Sequence, residues 1–287
     1  MESLLQPIIN GVLLGGLYAI IAVGMSIIFG IVKVVNLAHG DLIILSSYLS
    51  LSFSTRLGIS PLVTLLMVIP IMFFVGFFIQ GGLLNRVLAK EIEPPLLIAF
   101  GLSIILQNLL LLRFTPDAQS LMSSLAVKTI PLGEKVSLPV QSLINFSGGV
   151  IVISAVYLVL KYTDLGRIIR AASDDEMCTR LMGVNTKRIY AYAMGMAMAT
   201  AAVAGVLVGM TFTFYPHSGP QFLIISFGVI IIGGLGSIKG CLAGGLILAL
   251  AQMIGAHFAG IGYQLLFGYG VLLVVLGIKP KGIFGKI

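Results

Sequence analysis

The chain has 287 residues, of which 58% are hydrophobic and only 9% charged, whereas a soluble domain carries about 25% charged residues. A water-soluble fold is excluded, and at about 20 apolar residues per crossing the length allows roughly eight to ten membrane spans, so residues 1–287 form a single transmembrane domain. The net charge of +7 is dispersed among loops and not gathered into a patch, which points to membrane topology and away from nucleic acid.

The first apolar stretch, Pro7 to Gly30, is too long for a signal-peptide core and follows no basic region, so it reads as a retained span. Hydropathy defines nine apolar segments, near 6–30, 35–54, 61–84, 95–113, 143–160, 190–214, 221–237, 241–258 and 264–278. The second and seventh are open to being broken or partly re-entrant, which sets the count at eight to ten. The predicted fold is an all-α polytopic bundle.

With the C-terminus in the cytoplasm, Lys33, Arg86, Lys90, Lys161, Arg167, Arg170, Arg180, Lys187, Arg188, Lys239, Lys279, Lys281 and Lys286 lie inside. Arg56, Arg113, Lys128 and Lys135 lie outside. This is a positive-inside distribution, and an odd number of spans then leaves the N-terminus outside. Cys178 and Cys241 fall on the reducing side, and no disulfide framework is expected.

Glycines four apart, Gly11 with Gly15, Gly205 with Gly209 and Gly240 with Gly244, allow close approach of helix backbones in lipid. In the first segment Asn10 and Tyr18 are polar candidates for the pathway or for bridging helices. Asn36, His39 and Asp41 cluster where the second segment begins. Polar groups at that depth are costly unless they face protein or a water-filled cavity, and Gly40 permits a local break. They are read either as lining a translocation pathway or as capping a helix and binding nearby backbone. Gln107 and Asn108, in the fourth segment, line the pathway or bridge two helices. No metal site is expected, because His217 and His257 belong to the outer face, away from His39.

Two polar connections stand out. The external one, 114–146, holds Pro116, Pro131 and Pro139 and is either a docking surface or a long linker. The cytoplasmic one, 161–189, contains Ser173-Asp174-Asp175-Glu176, which reads as a capping box opening a helix of about nine residues, with Ser173 and Glu176 exchanging bonds with backbone amides. Asp174 and Asp175 complement the helix dipole, and Gly183 closes the helix in a left-handed conformation. Met177, Leu181 and Met182 form an apolar edge beside Arg180. Such a helix suits a groove on another protein, or else the lipid headgroups.

An energy source is missing. There is no Gly-x-x-x-x-Gly-Lys-Ser/Thr loop; the nearest stretch, Gly233 to Gly240, has the wrong spacing. Asp41 is the one acidic residue within a span, too few for the buried carboxylates common in ion-coupled transport. Hydrolysis of ATP on a separate subunit fits better, with no cofactor bound by this chain. No nucleophile, base and orienting acid converge, so an enzyme is disfavoured.

Asn10-Gly11 with Gly15, Tyr18-Ala19 and Gly24, Asn36-Leu37-Ala38-His39-Gly40, Leu106-Gln107-Asn108, Gly166-Arg167 leading to Gly183-Val184-Asn185, Ala204-Gly205 and Gly233-Gly234-Leu235-Gly236-Ser237 follow in an order that spans the chain. In this it resembles the LivH-type permeases of branched-chain amino acid ABC importers. Leu37 replaces the family's usual aromatic, and Asp41 stands where Glu is common. The resemblance implies a LivM-type partner permease, two cytoplasmic ATPases and an external substrate-binding protein in the bacterial inner membrane. It also implies that Ser173 to Gly183 is the coupling helix. Related permeases carry urea, short amides or aromatic carboxylates, which leaves the substrate open, and an autonomous channel or facilitator is the rival from another class.

Overall fold

A computed structural model describes residues 4–87, 93–123, 128–131 and 137–285. Lys90, Lys135 and Lys286 of the charge argument lie outside the described residues. In chain order the helices are α1 (Leu5–Val32), α2 (His39–Leu57), α3 (Pro61–Gly82), α4 (Glu93–Phe114), α5 (Val140–Tyr162), α6 (Asp164–Asp174), α7 (Glu176–Leu181), α8 (Thr186–Thr211), α9 (Gly219–Gly233), α10 (Ile238–Ala259) and α11 (Gln264–Ile278).

Seven of these regions are long and apolar enough to cross a membrane: α1, α3, α4, α5, α8, α10 and α11 with its preceding turn. The chain is a multi-pass helical bundle. The remaining two of the nine expected segments are the two suspected of being irregular. α2 carries five serines and Arg56, and α9 has only 15 residues, about 22 Å of rise against a hydrocarbon core of about 30 Å.

α1 is the axis of the bundle. It is apolar on all sides and buried almost continuously from Gly11 to Ile28, as expected of a helix surrounded by others and not facing lipid. Glycine makes the close packing possible. A Cβ on Gly15 would strike the backbone of Leu246 in α10, and one on Gly16 would strike Phe146 in α5. Packing of this kind substitutes for water exclusion inside a bilayer.

The two ends of the bundle are distinguished by contacts between loops. At one end Gln6 donates to the Ser137 carbonyl at 2.9 Å. At the other, the Ser173 hydroxyl donates to the Gly30 carbonyl at 2.6 Å and Asn85 donates to the Lys187 carbonyl at 2.9 Å. The latter end also holds Lys33, Lys239 and the C-terminal turn, where Ile283 and Phe284 donate to Ile232 and Gly233. The first and last described residues therefore lie at opposite ends.

The connection 114–146 is not wholly irregular. β1 (Thr129–Pro131) and β2 (Ser137–Pro139) pair antiparallel over three residues each, a small addition to the all-α bundle. Gln119 and Phe214 exchange backbone hydrogen bonds at 3.0 and 2.9 Å, tying this connection to the one between α8 and α9. Tyr48 of α2 packs beneath it, stacked on Phe114 and edge-on to Phe214.

The connection 161–189 differs from expectation. Ser173 opens no helix; it lies in the last turn of α6, an element the sequence reading missed. Leu165, Ile168, Ile169 and Ala172 recur at helical spacing, and Ile169 and Ala172 are buried against the bundle. Thr163 caps α6 by accepting from the Gly166 amide at 3.1 Å. The expected nine-residue helix shrinks to the six residues of α7, capped by Asp175, which accepts from the Cys178 amide at 2.9 Å. Asp174 is the last residue of α6 and immediately precedes Asp175, the cap of α7.

Candidate functional site

α2 does not begin at the end of α1. After Val32 the chain passes through Lys33 in a left-handed conformation (φ 58°) and runs back without helical structure to Ala38. His39 then meets the Ile21 carbonyl at 3.0 Å, roughly 16 Å of helix rise from the end of α1. A carbonyl oxygen accepts only, so Nε2 carries the proton in this contact. The Ser226 hydroxyl of α9 lies 3.2 Å from the same oxygen and shares its one proton between it and the nearer Phe222 carbonyl at 2.8 Å.

α2 and α9 start beside each other, Gly40 against Gly219, and only glycine permits so close an approach. A Cβ on Gly40 would collide with the Gly219 carbonyl, and one on Gly219 would collide with the Asp41 carboxylate. Non-helical backbone at this depth is tolerated where protein surrounds it or where it lines a cavity.

The three clustered residues turn out to differ. Asn36 accepts from the Ala38 amide at 3.1 Å and shapes the turn before α2. Among the described residues its Nδ2 has no partner, nor does Oε1 of buried Gln80, and both residues line a cavity of about 10 Å³. His39, with 0% exposure, is enclosed by α1, α2 and α8, near Gly24 and Thr200. Asp41 instead joins a polar chain. Its carboxylate accepts from the Ser103 hydroxyl at 2.5 Å and from Gln107 Nε2 at 3.0 Å, and Gln107 Oε1 lies 3.3 Å from His217 Nδ1.

This chain of groups passes from buried Asp41 and Ser103, through half-buried Gln107, to exposed His217. Ser103 and His217 were not among the expected site residues. Ser103 precedes Gln107 by one helical turn on the same face of α4, a spacing that could have signalled it. Asn108 is not part of the cluster, since it donates to its own helix at the Ile104 carbonyl. Tyr18 is also separate, donating to Gln252 of α10 at 2.7 Å. Asn10 accepts from Gln6. Among the described residues no three His, Cys, Asp or Glu side chains are placed to hold a metal ion.

The second group of expected residues gathers on α7 and its ends. Glu176 pairs with Arg180 and accepts from Thr186, whose hydroxyl also accepts from Arg180 Nε at 3.0 Å. Met177, Leu181 and Met182 are 75%, 83% and 85% exposed. Gly183, at φ 81°, ends the helix, with its amide donating to Arg180 and that of Val184 to Thr179. The backbone amide of Cys178 holds the Asp175 carboxyl below its ordinary range, and that same carboxylate pushes the Cys178 thiol up.

A buried axial helix, two helices starting within the bundle, a polar chain at their junction and an exposed apolar edge on one loop define a membrane permease. Residues 7–276 match the family described as branched-chain amino acid transport system, permease component, and the chain belongs to that family. It is similar to the high-affinity branched-chain amino acid transport system permease protein BraD of Pseudomonas aeruginosa, with 31% identity covering 98% of this chain and 96% of the relative. It is also similar to the LivH permease proteins of Salmonella typhimurium and Escherichia coli K12, each 30% identical over 98% of this chain and 96% of the relative. No solved structure matches.

Proposed function

We propose that the protein is the permease subunit of an ABC importer that moves branched-chain amino acids across a bacterial inner membrane by alternating access. Its relatives, named for that transport, support the substrate class. The partners in this reading are a LivM-type permease, two cytoplasmic ATPases that bind and hydrolyse ATP, and a periplasmic binding protein. Nine segments cross or enter the bilayer, α2 and α9 being the partial ones. The end bearing α6, α7 and the C-terminus faces the cytoplasm, in keeping with the basic residues gathered there, and the N-terminus faces the periplasm.

Substrate passes beside the junction of α2 and α9, where Asp41, Ser103, Gln107 and His217 supply polar groups at membrane depth. The Asp41 carboxylate already faces the N-terminal ends of α2 and α9 at this junction, so the group of a zwitterionic amino acid that it is suited to meet is the ammonium. Asn36 and His39 fix the start of α2; Tyr18 and Asn108 lie outside the polar chain.

The single observation that carries the coupling role is the apolar edge of α7, Met177, Leu181 and Met182, left exposed on a capped helix between two spans. That edge fits an apolar groove on an ATPase. Leu181→Asp places a charge against such a groove, and an unpaired buried charge costs several kcal/mol. The ATPases should no longer co-purify with the membrane complex, and substrate-stimulated ATP hydrolysis in liposomes should be lost. Unchanged co-purification and hydrolysis by a folded Leu181→Asp variant would refute coupling through α7 and favour a facilitator.

A further inference from the structure

At the end of the bundle that carries α6, a cavity of about 520 Å³ opens between α1, α5, α6 and the turn preceding α10. Nothing in the transport reading uses it. Three cations line it: Lys161 at the end of α5, Arg170 on α6 and Lys239 in the first turn of α10. Among the described residues the only ion pairs are Arg167 with Asp164 and Arg180 with Glu176, so none of the three is neutralised by a carboxylate. Asp174 is the one acidic residue in the lining, and the cavity is net positive.

Two of the three cations lie near one another over one aromatic ring. Lys161 Nζ lies 5.5 Å and Lys239 Nζ 5.1 Å from the centroid of Tyr157. Ser26, with 1% exposure, lines the inner wall. Among the described residues its hydroxyl meets no nitrogen or oxygen partner, only the Cys241 sulfur. The remainder of the inner wall is apolar, with Ile27, Ile31 and Ile169. A cationic rim over an apolar floor suits an amphiphile, since a fully hydrated anion would gain nothing from the floor.

The position selects the amphiphile. α5 presents Ile151 and Leu158 outward, as a helix facing lipid does, and Tyr157, Lys161 and Tyr162 mark where it leaves the hydrocarbon. Basic pockets between spanning helices at the cytoplasmic side are suited to anionic headgroups. We propose that this cavity binds the phosphate-bearing headgroup of an anionic phospholipid. Lys161, Arg170 and Lys239 contact the phosphate, and the acyl chains lie against α5. Placement in the cytoplasmic leaflet rests on the orientation proposed above, whereas binding is measured without reference to sidedness, so the two fail separately.

The test uses the assembled transporter in detergent, with native mass spectrometry reading retained phosphatidylglycerol against phosphatidylcholine. Wild type should retain phosphatidylglycerol preferentially. Lys161→Gln combined with Lys239→Gln should reduce that preference by at least about tenfold. The pair Lys161→Arg and Lys239→Arg should preserve it, and so should Lys187→Gln with Arg188→Gln, which removes equal charge outside the cavity. If the Gln pair does not yield monodisperse complex, Arg170→Gln is read in its place, with a fall of about fivefold expected. An unchanged preference in the Gln variants, or no preference in wild type, overturns the proposal. Displacement of phosphatidylglycerol by inorganic phosphate also overturns it, in favour of a soluble anion.

Discussion

His39 and Ser226, on two different helices, bond to one oxygen, the Ile21 carbonyl, at 3.0 and 3.2 Å. This ties the start of α2 and the middle of α9 to the axial helix, although the shorter contact of the Ser226 hydroxyl is to the Phe222 carbonyl of its own helix at 2.8 Å. A side-chain hydrogen bond within a membrane bundle contributes about 0.6–2 kcal/mol, and His39 also fills space among α1, α2 and α8. His39→Leu should therefore lower the yield of monodisperse protein and its thermal midpoint, with uptake falling in proportion. Ser226→Ala, which removes the longer bond and little volume, should have the smaller effect. Size-exclusion chromatography alongside uptake checks both. Normal assembly of His39→Leu with uptake abolished would move His39 from scaffold to pathway.

Asp41 separates the two roles in the other direction. Asn at this position keeps one acceptor oxygen, and the Ser103 hydroxyl can turn to accept from the new amide, so packing at the junction of α2 and α9 should survive. Only the charge is lost. If the carboxylate serves transport, Asp41→Asn should assemble normally and lower uptake by about tenfold, equivalent to about 1.4 kcal/mol. Full uptake by the Asn variant would reduce Asp41 to a polar spacer. Because Ser103 and Gln107 both donate to this carboxylate, their effects should not add to that of Asp41→Asn.

Much of this architecture was legible in the sequence, for identifiable reasons. Spans announce themselves by length and apolarity, and all nine segments coincide with helices. The second and seventh are the segments open to being broken, and for the second the signal is Gly40 beside polar groups. What could not be read was tertiary partnership. Ser173 to Glu176 satisfies the local pattern of a capping box, yet the Ser173 hydroxyl is drawn to the Gly30 carbonyl, 143 residues away. His217 was placed apart from the membrane cluster because nothing local links it to Gln107. Asn36, His39 and Asp41 look alike in sequence, and only the crossing of α1, α2, α4 and α9 gives them separate duties.

The orientation can be read from thiols already present or easily added. Cys178 is exposed and Cys241 buried. In intact cells a membrane-impermeant maleimide should label Thr129→Cys and leave Cys178 untouched until the membrane is opened. The pH dependence of the Cys178 reaction is a further check. The thiolate is the reacting form, and the Asp175 carboxylate raises the thiol above its ordinary value, so less thiolate exists at neutral pH and labelling should accelerate as pH rises. Asp175→Asn should speed labelling at pH 7. Labelling of Cys178 from outside intact cells would invert the topology.

Ser173 and Asp175 give the sharpest test of how the connection between α5 and α8 is built. In a capping box opened by Ser173, Ser173→Ala would loosen the helix that carries Met177 and Leu181. In the fold described here Ser173 instead ties α6 to the end of α1, and Asp175 caps α7 through the Cys178 amide. Asp175→Ala should therefore fray α7, weaken ATPase co-purification and lower substrate-stimulated hydrolysis. Asp175→Asn, which retains a capping oxygen, should keep most of both. Ser173→Ala should leave the cap of α7 intact and act on the anchoring of α6. Hydrogen exchange distinguishes the two, because Asp175→Ala should speed exchange at the amides of Cys178 and Thr179, whereas Ser173→Ala should not. Faster exchange at Cys178 in Ser173→Ala, with Asp175→Ala unchanged, would restore the capping box and discard the two-helix arrangement.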